Sequence, residues 1–300
     1  MHVSLRYYYL GSLSKIVIDR IDWFVNKYGV SIPYVFFSGG KDSTAVLIGV
    51  SKSSVADRVI IVYLEVTGNT HPLNVRQAYN VVGKLFDNVY SAIVNNGYVL
   101  KKLVLYHVKH NYLPLFLHIR ATDSCGRDFW GMVREWGCPM SHYNRLCFRE
   151  FKDKWFCELP LIGGRRYNIV GIKASDSVAR RRRWGKNMVN VFGNEVVLSP
   201  INDFTNDEVW LVLRENNISL PTYELYGDSL NCMFCPLRSL NKEKVIVKKL
   251  LENGYDLSYI RSSIEYAIKN ASNMRHVSMK VCNRWINAIK EAYYGNYEYT

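Results

Sequence analysis

Six consecutive residues, Ser38-Gly39-Gly40-Lys41-Asp42-Ser43, gather the kinds of group that hold a phosphate. They stand between the apolar run Tyr34-Val35-Phe36-Phe37 and the segment Thr44-Ala45-Val46-Leu47-Ile48. That order predicts a buried strand, a glycine turn and then a helix over 42–51. A helix opening directly after a strand points several backbone N–H groups, and the positive end of its dipole, at one spot. Gly39 and Gly40 permit close approach of the backbone to an anion, Lys41 adds a mobile positive charge, and Ser38 and Ser43 add hydroxyl donors. Asp42 makes chemical sense beside phosphates if Mg²⁺ joins them. The Walker pattern G-x-x-x-x-G-K-[ST] is not satisfied by any string around Lys41.

Three further groups have chemistry in their spacing. Lys173 and Arg180 fall in Gly171-Ile172-Lys173-Ala174-Ser175-Asp176-Ser177-Val178-Ala179-Arg180, just past a predicted strand, where two cations can steady a departing pyrophosphate. Thr67-Gly68 forms a turn at the end of another predicted strand. Cys232 and Cys235 make a CxxC followed by Pro236, and two thiolates on one tight turn can grip one metal or cluster.

The elements that position these residues read as alternating strands and helices. Apolar residues at three-and-four spacing predict an amphipathic helix over 12–28. Strand 34–38, helix 42–51, strand 59–64 and helix 73–86 follow, with further strands expected at 103–108, 167–172 and 195–198. The stretch from about 110 to 160, rich in aromatics and cysteine, reads as a helical insertion. Asn206-Asp207 is expected to cap a helix carrying Val209, Trp210 and Leu213. Helices near 241–253, 256–270 and 277–294 suggest a helical C-terminal subdomain over 237–300, after a nucleotide-binding domain over 1–236. The fold class expected is α/β, a parallel sheet with helices on both faces, whose ligands bind beyond the carboxyl ends of the strands.

Bulk composition agrees with a single α/β domain and an appendage: 300 residues, 48% hydrophobic. No apolar run reaches the length of a bilayer span, and the N-terminal stretch lacks the apolar core of a signal peptide, so a cytoplasmic protein without a membrane partner is expected. The seven cysteines then argue for metal or redox chemistry rather than a disulfide framework. A formal net charge of +13 implies an anionic partner, small like ATP or large like RNA or DNA. Positive charge concentrates in Arg180-Arg181-Arg182-Arg183-Trp184-Gly185-Lys186, and again at Lys242, Lys244, Lys248 and Lys249.

Taken together, these segments resemble the phosphoadenosine phosphosulfate (PAPS) reductase family of the PP-loop ATP pyrophosphatases, over roughly residues 15–240. The resemblance rests on the Ser38-to-Ser43 loop, Thr67-Gly68, Cys147-Phe148-Arg149-Glu150-Phe151-Lys152 and the 171–180 segment. It continues through Ser199-Pro200-Ile201-Asn202-Asp203-Phe204-Thr205 with Glu208-Val209-Trp210, and Cys232-Met233-Phe234-Cys235-Pro236. It implies an adenine nucleotide alpha hydrolase fold, with Ser38, Gly39, Gly40, Lys41, Asp42, Ser43, Thr67 and Gly68 at the nucleotide and Lys41, Asp42, Lys173 and Arg180 in catalysis. It also implies Cys147, Cys232 and Cys235 as ligands of a [4Fe–4S] cluster or of Zn²⁺, with Cys138, Cys157 or Cys125 as candidates for a fourth. Sulfonucleotide reductases typically alter the loop and carry a Glu-Cys-Gly tail. Here the loop is intact and the tail, 291–300, has no thiol. The expectation is therefore an ATP-using, AMP-forming enzyme that adenylates a substrate for sulfur transfer, with tRNA or DNA as acceptor and the sulfur donor left open. Arg181, Arg182, Arg183 and Lys186 would contact nucleic-acid phosphates and Trp184 would stack on a base. A sulfonucleotide reductase and a non-catalytic nucleotide-binding module are the alternatives.

Overall fold

The computed structural model describes residues 12–139, 146–185, 187–274 and 278–294. Seven strands form one sheet in the order β3-β4-β2-β1-β5-β7-β6, where β1 is Tyr34–Phe37, β2 Ile60–Val66, β3 Tyr90–Val94, β4 Leu115–Ala121, β5 Arg166–Val170, β6 Val189–Phe192 and β7 Glu195–Leu198. β1 runs parallel to both β2 and β5, β3 parallel to β4, and β5 parallel to β7, while β6 turns back antiparallel on β7. From β1 the chain passes to β2 on one side, and β5 later fills the other side. The loop after β1 therefore lies at a topological switch point, where open α/β sheets bind ligands.

The central strands are apolar almost throughout because both their faces are covered. Helix α1 (Leu13–Tyr28) buries Leu13, Val17, Ile21, Phe24 and Val25 as one stripe. It packs on α2 (Lys41–Ser51), as does α7 (Asn206–Glu215), so the helix that follows the glycine loop is wedged from two sides. Between them in sequence lie α3 (Pro72–Leu85), α4 (Gly97–Lys109), α5 (Phe129–Trp136) and the basic α6 (Val178–Trp184).

The chain forms two compact units. The first takes the chain up to Leu64, then Val75–Ile119 and Glu158–Pro221. The second takes Glu65–Asn74, Arg120–Cys157 and the chain from Thr222 onward. In the second, α5 packs with α10 (Ser258–Lys269), and α11 (Met279–Tyr294) packs with both α10 and α9 (Leu240–Glu252), following the short α8 (Pro221–Tyr226). Trp130, Phe234 and Trp285 meet edge to face at its centre, and a disulfide joins Cys138 to Cys282.

The sheet departs from the sequence reading in three strands and one helix. Residues 103–108, expected as a strand, lie inside α4. Asn96 caps that helix by accepting the Tyr98 N–H, and only Leu100 and Val104, four apart, turn inward. β3 and β6 are short and half exposed, so neither has the apolar run that marks a buried strand. β4 lies within the stretch read as a helical insertion.

Candidate functional site

In the first unit, the end of β1 and the start of α2 form the loop. Gly39 has φ +70°, a left-handed conformation that favours glycine, and Gly40 caps α2. The loop is held from inside by its carbonyls. Gln77 of α3, buried, donates to the Gly39 oxygen at 2.6 Å, and Thr44 Oγ1 and Ser43 Oγ donate to the Gly40 oxygen at 2.8 and 3.0 Å. A trans peptide sets its N–H opposite its C=O, so pinning these carbonyls turns the Gly40 and Lys41 amides the other way. Ser43 Oγ also accepts the Ser38 N–H at 3.2 Å and lies 3.1 Å from Ser38 Oγ.

The four expected catalytic side chains belong to one chain of alternating charge. Lys41 Nζ lies 2.9 Å from Asp42 and 2.8 Å from Asn206 Oδ1. Asp42 Oδ1 lies 2.6 Å from Lys173 Nζ, which is 1% exposed and also meets Asp176 at 2.8 Å. Asp176 in turn pairs with Arg180. This closeness depends on Gly171, because a Cβ there would come within 2.7 Å of the Asp42 and Ser43 backbone. Burial lowers the pKa of Lys41, and the Asp42 charge only partly opposes it. Burial also works against the charge on Lys173, but hydrogen bonds and charges from Asp176 and Asp42 outweigh it and raise that pKa. For Asp176, Lys173 and Arg180 together overcome burial and lower the pKa. Asp176 and Gln77 were not singled out from the sequence. Asn206, expected as a cap, instead meets Lys41, while Thr205 caps α7 in a capping box with Glu208.

The basic run is split by the fold. Arg181, Arg182 and Arg183 are exposed on α6, with the Arg183 guanidinium 5.0 Å over the Phe192 ring. Trp184 is 4% exposed and its carbonyl accepts Asn202 Nδ2, so it has no face for a base, contrary to expectation. Lys186 lies outside the described residues, as do 295–300 of the tail. Lys242, Lys244 and Lys248 are paired with Asp228, Glu291 and Glu252.

In the second unit, Thr67 and Gly68 are engaged by the end of β4 and the first turn of α5. The Thr67 N–H and Oγ1 both donate to the Ala121 oxygen, the Thr67 oxygen accepts the Phe129 N–H, and Trp130 Nε1 donates to the Gly68 oxygen at 2.8 Å. Gly68 has φ +79°, and a Cβ there would meet Asp128 at 2.9 Å.

Cys147, Cys232 and Cys235 line one cavity of about 100 Å³ with Phe129, Phe148 and Phe234. Burial, then the other two thiols, pushes Cys147 up to about 12, and burial also raises Cys235. The CxxC loop is held by Asn69, which exchanges two hydrogen bonds with Phe234, and by Arg238, donating to the Cys232 and Met233 oxygens. Arg284 donates to the Cys235 oxygen. Three thiols on one cavity suit a soft metal or cluster in kind. Among the described residues, however, no three His, Cys, Asp or Glu side chains stand close enough together to hold a metal ion. Cys138, a candidate fourth ligand, is committed to the disulfide with Cys282, while Cys125 and Cys157 are exposed thiols. No helix among the described residues is long and apolar enough to cross a membrane.

No protein-family model matches the chain, and no curated protein matches its sequence. Among solved structures it is similar to phosphoadenylyl-sulfate (PAPS) reductase from Candida auris in a phosphate complex, at 14% identity over 74% of this chain and 88% of that one, with a TM-score of 0.41.

Proposed function

We propose that this chain is a nucleotide-binding enzyme of PAPS-reductase-like fold that cleaves ATP between its α and β phosphates and adenylates a substrate for sulfur transfer. The observation that supports it most is the placement of Asp42 between two lysines at the start of α2, on a glycine loop at the sheet's switch point. A polyphosphate entering there competes with Asp42 for both lysines. The loop amides, Ser38, Ser43 and Lys41 then hold the β and γ phosphates, and the Asp42 carboxylate, freed from the lysines, would hold a Mg²⁺ that offsets the phosphate charge. An oxygen of the acceptor forms the new bond to the α phosphorus while the bond to the bridging oxygen breaks. Pyrophosphate leaves with that electron pair, its charge steadied by Lys173 and by Arg180 acting beside Asp176. The AMP left on the acceptor is then the leaving group for sulfur.

Cys147, Cys232 and Cys235 would hold a metal or cluster once deprotonated and drawn together, and with three protein ligands a [4Fe–4S] cluster would supply an open iron for sulfide. Burial keeps the Cys147 thiol protonated at neutral pH, so loading must release its proton. The acceptor proposed is a nucleic acid, tRNA or DNA. The exposed Arg181, Arg182 and Arg183 and the net charge of +13 favour it.

Incubation with α-labelled ATP, with and without tRNA or DNA, is expected to yield labelled AMP, and Lys41→Ala to abolish it. ADP as product, or turnover unchanged in Lys41→Ala, overturns the reading. Sulfite release from PAPS with thioredoxin would assign the chain to sulfonucleotide reduction instead.

A further inference from the structure

The edge of the sheet farthest from β6 carries a surface that the ATP site does not use. β3 is the edge strand, and α4 and the turn after it present rings beside it. Tyr90 and Tyr112 lie 5.1 Å apart between ring centroids, Tyr106 and His110 4.5 Å, and His110 and Tyr112 5.7 Å with only 24° between their planes. Tyr106 is 53% exposed and Tyr90 46%. A core has no need of such a cluster, since α4 buries only Leu100 and Val104. Contiguous exposed rings of this kind mark an interaction site.

The charge carried by α4 and the turn after it has one sign, Asp87 ahead of β3 being the nearest carboxylate before them in sequence. Lys101, Lys102 and Lys109 are exposed on α4, and no Asp or Glu occurs between Asp87 and Asp123. The Lys102 ammonium sits 4.6 Å over the Tyr98 ring, so cation and ring are already paired as they would be beside a stacked base. Tilted, partly stacked rings among lysines, with no carboxylate in the whole span, complement a strand that offers flat bases and a phosphate backbone.

We propose that the β3–α4 face is a stacking platform for single-stranded nucleic acid, a second contact surface for the acceptor besides α6. The inference rests on the nucleic-acid acceptor proposed above. Bases stack on Tyr106, His110 and Tyr112, and Lys101, Lys102 and Lys109 take the phosphates. Stacking is tolerant of sequence, so the face would hold a strand without choosing its bases.

The test is binding of a labelled, mixed-sequence single-stranded oligonucleotide, followed by fluorescence anisotropy over a range of salt. Tyr106→Leu with Tyr112→Leu, which keeps apolar bulk but removes the rings, is expected to weaken binding by roughly tenfold or more with the salt slope unchanged. Lys101→Gln with Lys102→Gln is expected to flatten that slope by about one unit per lysine engaged. Unchanged affinity in both pairs, alongside weakening in Arg181→Gln with Arg182→Gln, overturns the platform and leaves the acceptor reading standing. Absence of any binding by the parent protein overturns both. Duplex held as tightly as single strand, or a change of oligomeric state in the tyrosine variants without loss of affinity, also overturns the platform.

Discussion

Gln77 holds the Gly39 carbonyl of the glycine loop, a contact that sequence spacing could not reveal. It lies on α3, distant in sequence from the loop, and its contact with Gly39 is fixed only by the fold. Replacing it by Leu leaves the Gly39 carbonyl buried without its donor, at a cost of about 1–3 kcal/mol. The Gly39–Gly40 peptide is then free to turn, so its amide no longer points outward. Gln77→Leu is therefore expected to weaken ATP binding in calorimetry by more than the accompanying drop in melting temperature accounts for. A lower melting temperature with unchanged ATP affinity would limit Gln77 to a structural part. Lys41, Asp42 and Ser43 were legible because their neighbours in sequence are also their neighbours in space. Asp176 was in view in the 171–180 segment, yet its use as the link between Lys173 and Arg180 depends on a side-chain geometry that spacing does not encode.

Among the elements, buried strands and helices with one apolar stripe were readable, while marginal ones were not. β1, β2 and β7 are apolar runs between polar residues, and α1 repeats its apolar residues at helical spacing. The run Leu103-Val104-Leu105-Tyr106-His107-Val108 satisfies a strand pattern just as well. It is helical, with Val104 buried, Leu103 and Val108 half-buried and Leu105 and Tyr106 exposed, so burial there follows a helix face rather than the alternation of a strand. In the second unit α9 has a comparable surprise: Glu243 on its first turn is wholly buried, beside Arg238 and close to Arg284. Burial raises its pKa from 4.5 to about 7, with Arg238 pulling the other way. A carboxyl whose folded pKa exceeds its unfolded one holds an extra proton in the folded state. Its contribution is most favourable below about pH 4.5, and up to about 3 kcal/mol is lost as pH rises to about 7. Glu243→Gln stays neutral, so the difference in unfolding free energy between variant and parent should grow in the variant's favour from pH 4.5 to 7 and then level off. Denaturant titrations at several pH values check this, and a difference independent of pH would contradict it.

On the scale of the whole molecule, the path of the chain matters as much as its charge. Each compact unit is made of three separate stretches, so the sequence crosses between them five times. The Cys138–Cys282 disulfide spans 144 positions and closes a loop that holds β5, Lys173, α6 and β7 of the first unit as well as Cys147 and the CxxC of the second. Composition pointed away from a disulfide because seven cysteines without secretory features suggest metal or redox chemistry, and pairing at such a separation leaves no local trace. A cross-link over so long a loop removes much of the freedom of the unfolded chain, worth about 4–5 kcal/mol in the entropic account. Both sulfurs are fully buried, so a reductant reaches them only when the second unit opens. Cys138→Ser with Cys282→Ser should therefore lower the melting temperature by roughly 5–15 °C. Mild reductant, by contrast, should leave the parent's melting temperature nearly unchanged until exposure is prolonged or heated. Labelled AMP formed well below the transition should be the same in variant and parent, because the ion-pair chain from Lys41 to Arg180 contains no cysteine. Loss of AMP formation in a variant that remains folded would mean that the cross-link shapes the nucleotide site itself.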